Sequence, residues 1–242
     1  MNIRTLGIIG ASDAEVGALI AALEAHATLT VGSVTCHSGT LGGHRVAVVN
    51  CGVGKVCAAM CAQLLIDRFA VDGIVNTGVA GGLADGLAVG DLVIADNAVQ
   101  HDFDITAFGH PRGYIPARGG DENIVSVWPT DPSLTAAFRA AAEEVRAREG
   151  GFTCHGGRIV SGDVFVSSAA LKQTLRDDFG AIAAEMEGAA IAQVAYLNGV
   201  PFALVRALSD LADGSAADSF DTFEQQTAAR SARILLTMLR AM

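Results

Sequence analysis

The chain of 242 residues predicts an α/β fold, a single-domain three-layer αβα sandwich around a central, largely parallel mixed sheet. Three observations predict it. Short apolar runs ending in glycine alternate with segments of helical spacing almost throughout. Hydrophobic residues make up 51% of the chain but aromatics only 5%, so aliphatic and small side chains must build a sizeable core. No shift in composition marks a linker and no repeat interrupts the alternation, so residues 1–242 read as one domain.

The elements follow in order. Leu6-Gly7-Ile8-Ile9-Gly10 is a buried strand, and Val16, Leu19, Ile20 and Leu23 then keep helical spacing. Val46–Val49 is a second strand, ending in Asn50-Cys51-Gly52-Val53-Gly54. A helix from about Lys55 to Phe69 turns Met60, Leu64 and Leu65 to one side. Gly73–Thr77 is a third strand, broken by Gly78, Gly81 and Gly82, and Asp91–Ala95 is a fourth. Phe108–Trp128 has no period and reads as a long surface loop. Pro132–Arg148 is helical, Arg158–Gly162 is a strand entering a glycine turn, Glu187–Leu197 is a helix and Phe202–Arg206 a strand. Asp221 and Glu224 are spaced as a capping box for a final helix with Ile234, Leu235, Met238 and Leu239 inside.

Composition excludes several classes. Sixteen Lys and Arg against 26 Asp and Glu leave a net charge of −10, which repels nucleic-acid backbones. Mean hydropathy is +0.40, yet the charge-free stretch from Gly188 to Val205 is broken by Asn198-Gly199-Val200-Pro201, so no membrane span is expected. Met1-Asn2-Ile3-Arg4 leads straight into a strand rather than a signal peptide. With an odd set of five cysteines, a reduced, cytoplasmic protein is the expectation. No cofactor and no metal are expected. Gly52-Val53-Gly54 has Cys57 where a dinucleotide fingerprint needs its third glycine, Gly54-Lys55 lacks the Walker spacing, and no GxSxG occurs. His101 and Asp102 would point to opposite faces of a strand, which favours a structural role over metal binding.

Open parallel sheets bind ligands at the carboxyl ends of their strands. Four segments belong there: Gly10–Glu15, Asn76–Gly82, Ala184–Gly188 and Val205–Asp210. Each has a bland reading. Ser12-x-x-Glu15 is also a capping box, Glu187 suits a helix amino terminus, Asp210 suits a cap, and Arg206 can pair with any acid. Met186, Phe165 and Phe220 are core residues by default.

At these segments the chain resembles the 5′-methylthioadenosine/S-adenosylhomocysteine nucleosidases of the purine nucleoside phosphorylase superfamily. The similarity runs in order through GIIGASDAEV, NCGVGKVCAA, NTGVAGGL, VGDLVIAD, HDFDITAFG, SGDVF, AAEMEGAAIAQVA, VPFALVRALSDLAD and SFDTF. The resemblance implies hydrolysis of the N-glycosidic bond of 5′-thio-substituted adenosines. Asp210 would be the acid at purine N7, oriented by Ser209, and Glu15 the base for water, which Arg206 helps to hold. A helix amino terminus would keep Glu15 ionised. Glu187 would bind ribose and Met186 pack on the sugar. Phe165 and Val166 would hold adenine, with Val79, Ala80 and Gly81 as a wall and Phe220 as a lid. Val53, with Phe108 and Pro116 of a second subunit, would form the 5′ pocket of a homodimer.

The superfamily also contains phosphorylases. Asp13 and Glu15 repel phosphate, and Lys55 and Lys172 are the only lysines, so water is the expected nucleophile. A phosphorylase of the same fold and a non-catalytic, nucleoside-binding or storage relative are the alternatives. Val79 departs from members with Ser there, and Ser12 replaces a larger apolar residue of some members. The preferred 5′ substituent (methylthio, homocysteinyl, deoxy or futalosine-type) stays open.

Overall fold

The structure is a computed structural model that describes residues 3–116 and 126–242. Among the described residues ten strands and six α-helices follow one another: β1 (Thr5–Gly10), α1 (Asp13–Ala21), β2 (Glu24–Val31), β3 (Val34–Leu41), β4 (His44–Asn50), α2 (Lys55–Phe69), β5 (Gly73–Gly82), β6 (Leu92–Gln100), β7 (Trp128–Pro129), α3 (Pro132–Glu149), β8 (Cys154–Ser161), α4 (Ala169–Phe179), β9 (Ala181–Glu185), α5 (Gly188–Leu197), β10 (Phe202–Asp210) and α6 (Ala216–Ala241). The sheet is mixed. β4, β1, β5 and β10 run parallel, as do β6, β8 and β9. One end closes into a ring through the order β5, β10, β6, β8, β9 and back to β5, while β1, β4, β3 and β2 extend from β5 as an open arm.

Alternation along the strands makes two cores. Leu6 and Ile8 of β1, Val46 and Val48 of β4, and Ala203, Val205 and Ala207 of β10 face α1, α3 and α6. The alternate residues Ile9, Ala47, Val49, Phe202 and Leu204 face α2 and α5. A period of two is what a strand covered on both sides requires. α4 closes a third cluster with Leu175 and Phe179 against Val160 and Ala184.

Three expectations are corrected. Gly78–Gly82 is not a turn but the second half of β5, paired along β10 from Gly78↔Arg206 to Gly81↔Asp210. Small side chains permit this because the space above them is taken by Glu15, Arg206 and Asp210. The final helix starts at Ala216, so Asp221 lies inside it rather than at its start; Glu224 accepts from Ser12 Oγ at 2.9 Å. The stretch expected as a surface loop buries Tyr114, Ile115 and Trp128, and β7 pairs with β6; residues 117–125 lie outside the described residues. The β2–β3 hairpin, α4 and β9 had no clear signal. β2 is an edge strand, mostly exposed, and so carries no apolar alternation. Among the described residues no helix is long and apolar enough to cross a membrane.

Candidate active site

Gly10 lets β1 turn sharply, because a side chain there would press on Val16 and Glu15. Glu15 folds back over the turn and accepts from the backbone N–H groups of Ala11 and Ser12. Its other oxygen accepts from the N–H of Val79 on β5 at 2.9 Å. The capping and the clamping are thus one arrangement. Glu15 is buried, and burial pushes its pKa up despite Arg206 and the three N–H groups, which pull it down. The helix amino terminus therefore counteracts, without overcoming, the cost of burying this charge.

Arg206 is completely buried and does not line the cavity. It donates to the Thr77 carbonyl at 3.1 Å and the Asn76 side-chain oxygen at 2.7 Å. Its guanidinium also lies against Glu185, 3.4 Å from Glu187 and 3.8 Å from Glu15. Glu185 was not among the expected site residues, although its place two residues before Glu187 was visible. It accepts from Arg206, from Ser161 Oγ and from the N–H groups of Glu187 and Gly188, so it also closes the start of α5. Three carboxylates share one guanidinium. Glu187 has the fewest donors, the Gly54 N–H at 2.8 Å being the closest. Burial and then the Glu185 carboxylate push its pKa up.

Asp210 ends β10. It accepts from the Ala212 N–H at 2.8 Å and from Ser209 Oγ at 2.9 Å. Burial is the largest influence on it and raises its pKa; those two donors only partly oppose this. The same Ser209 hydroxyl lies 3.5 Å from the Ala80 carbonyl.

These groups meet at a cavity of about 440 Å³. Of the expected residues, Glu15, Glu187, Ser209 and Asp210 line it, with Val53, Val79, Ala80, Gly81, Phe165, Val166, Met186 and Phe220. The Phe165 and Phe220 rings stand edge to face, 5.9 Å apart. Arg206 lies beneath, and neither Phe108, 80% exposed, nor Pro116 borders the cavity within this chain. Sequence reasoning passed over Glu185, Val164, Ala217 and Glu224 as lining residues. Glu224 had no signal, since its spacing suited a cap.

His101 and Asp102 are drawn into other roles. Asp102 binds the Lys55 ammonium at 2.6 Å, while burial lowers the pKa of His101. Among the described residues no group of three His, Cys, Asp or Glu converges as a metal site would need. The cavity instead presents a carboxyl that resists ionisation, a clamped carboxylate, and a third acid between apolar walls. Glycosidic cleavage asks for such an acid and base.

The phosphorylase superfamily profile matches residues 5–240. The 5′-methylthioadenosine/S-adenosylhomocysteine nucleosidase of Shewanella oneidensis is 38% identical over 237 residues, 97% of this chain and 95% of that protein. The nucleosidase of that name from Neisseria meningitidis, in complex with methylthio-immucillin-A, has a TM-score of 0.90 at 37% identity and covers 99% of this chain and 100% of its own. The Colwellia psychrerythraea enzyme with adenine has a TM-score of 0.90 at 35% identity, over 98% of this chain and 95% of that one. With identity at this level over nearly its whole length, the chain belongs to the 5′-methylthioadenosine/S-adenosylhomocysteine nucleosidases, N-glycosidic hydrolases of the phosphorylase superfamily.

Proposed function

We propose that this chain hydrolyses 5′-thio-substituted adenosines with Asp210 as acid, Glu15 as base and Glu187 as the ribose-binding group. The observation that carries the reading is that all three carboxyl groups border one cavity while differing in their donors. The C1′–N9 bond breaks as Asp210 delivers its proton to purine N7, so that adenine leaves neutral. A raised pKa keeps that proton on Asp210 to higher pH than on an ordinary aspartate. The sugar becomes cationic at C1′. Water adds there and gives its proton to Glu15, whose backbone donors orient the accepting oxygen. Arg206 acts through Glu15, Glu185 and Glu187 rather than by touching water.

Phe165 and Val166 hold the base, the Val79–Gly81 strand forms the wall, Met186 packs on the sugar and Phe220 covers the cavity. Val79 offers no hydroxyl to grip phosphate, and no Lys, Arg or His lines the cavity among the described residues. A homodimer completes the 5′ pocket with Phe108 and Pro116 of the partner subunit. Exposed Val53, Val56 and Met60 on and beside α2 support it, being 63%, 79% and 49% accessible in the single chain. The five free cysteines fit a reduced, cytoplasmic setting.

The test is adenine release from methylthioadenosine and from S-adenosylhomocysteine, with and without phosphate. Phosphate-independent release with the free thioribose sugar is expected. A sugar 1-phosphate would overturn the assignment of water as nucleophile, and no release from either would overturn the substrate class.

A further inference from the structure

One carboxylate at the cavity has no task in this scheme. Ala217, Phe220 and Glu224 stand three and four residues apart, and all three border the cavity from one face of α6. Glu224 is half-buried and accepts a hydrogen bond from Ser12 Oγ at 2.9 Å, which ties α6 to the turn between β1 and α1. The other acids have partners of their own: Glu185 has Arg206, Glu15 three backbone N–H groups, Glu187 the Gly54 N–H, and Asp210 the Ala212 N–H. Among the described residues no cation forms an ion pair with Glu224.

We infer that Glu224, held by Ser12, selects 5′ substituents that carry a protonated amine. The inference rests on the reading above, in which Asp210 takes the base and Glu15 and Glu187 the ribose. The lining left for the 5′ arm includes Ser12, Val53, Ala217, Phe220 and Glu224. A purely apolar thioether leaves the Glu224 carboxylate without a charge partner in a cavity that water partly vacates. An ammonium at the end of a short alkylthio chain supplies the missing cation and a charge-assisted hydrogen bond. Ser12 occupies one carboxylate oxygen of Glu224. A substituent ending in an anion is disfavoured, because five acids and no basic side chain border the cavity among the described residues.

The test compares two neutral-core substrates of equal length, 5′-(3-aminopropylthio)adenosine and 5′-butylthioadenosine, by kcat/KM for adenine release. The wild type is expected to favour the amine, and the preference to shrink as salt is added. Glu224→Gln keeps the shape and an acceptor for Ser12, and is expected to lower the amine-to-butyl ratio by about tenfold, the size of one hydrogen-bonded charge contact. An unchanged ratio in Glu224→Gln, or a wild type that favours butyl, overturns the inference. If Glu224→Gln does not fold, the salt dependence of the wild-type ratio decides alone, and a flat ratio overturns it. Adenine released from both substrates at an unaltered ratio removes only this inference. Adenine released from neither removes the hydrolase reading beneath it.

Discussion

Asp210 and Glu15 are both buried acids with raised pKa values, yet the amide replacement of each is expected to act on stability with opposite sign. At Asp210 the folded state favours the protonated form, so its contribution to stability is fully present below the unfolded pKa of about 3.9. It is lost as pH rises through the folded value. Asp210→Asn removes that loss. Asn still accepts from the Ala212 N–H, and Ser209 can turn its proton to the Ala80 carbonyl and accept from the new amide. The variant is expected to melt higher than wild type at pH 8 and equally near pH 3, while kcat falls at least about 10²-fold, the scale of general acid catalysis. Melting curves across that range check it, and a lower melting point at pH 8 contradicts it. At Glu15, by contrast, both oxygens face N–H donors. Glu15→Gln must turn its amide toward one of them, leaving buried donors unpaired at about 1–3 kcal/mol. Here both activity and melting temperature are expected to fall. Under the proposed roles, the wild-type pH–rate profile is expected to show an acid limb from protonation of Glu15 and an alkaline limb from loss of the Asp210 proton. The alkaline limb is the one expected to vanish in Asp210→Asn.

The two elements that build the site are β5 and β10, and they lie side by side because β5 is nearly free of side-chain bulk beyond Thr77. Gly78 faces Arg206 on the neighbouring strand, and a methyl group added to it would collide with both Arg206 and Glu15. Neither can retreat, since Arg206 is fixed by Asn76 and Thr77 and Glu15 by Val79. Gly78→Ala is therefore expected to cost about 1–3 kcal/mol, the usual scale of overpacking. It should also lower kcat/KM far more than a glycine change such as Gly17→Ala in α1, where nothing stands within 4 Å and the backbone is helical. Equal activity in the two variants would show that the Glu15–Arg206 contact is not needed. The helices beside these strands also draw on distant residues at their starts. Asp163 accepts from Lys55 N to begin α2, and Ser161 accepts from Ala189 N in α5. A nonlocal start couples each helix to the loop that borders the cavity.

At the scale of the whole molecule, the folded chain hides two apolar cores and leaves a third apolar surface in water. Val56 and Met60 are one turn apart on α2, and Phe108 is also exposed. In the proposed homodimer a second copy would cover this face. Met60→Glu is expected to shift the protein from dimer to monomer in sedimentation. It should raise KM more than it lowers kcat, because the partner subunit's contribution is to substrate enclosure. A variant that stays dimeric with unchanged KM would remove α2 from the interface.

Much of this was readable beforehand. Strands β1, β4, β5, β6, β8 and β10 declare themselves as short aliphatic runs because each is covered on both faces, and the acids at their ends stand out against that background. The four site segments were therefore visible in order. What sequence periodicity could not reach was whatever depends on two distant segments meeting. Gly78–Gly82 reads as a turn until β10 is laid beside it. Arg206 reads as a residue that could pair with any acid until Glu15, Glu185 and Glu187 are seen around it. Glu224 reads as a cap until Ser12, 212 positions away, donates to it. Local pattern reports how a residue relates to its own strand or helix. The partner of a buried charge is chosen by packing, and that choice exists only once the sheet has closed.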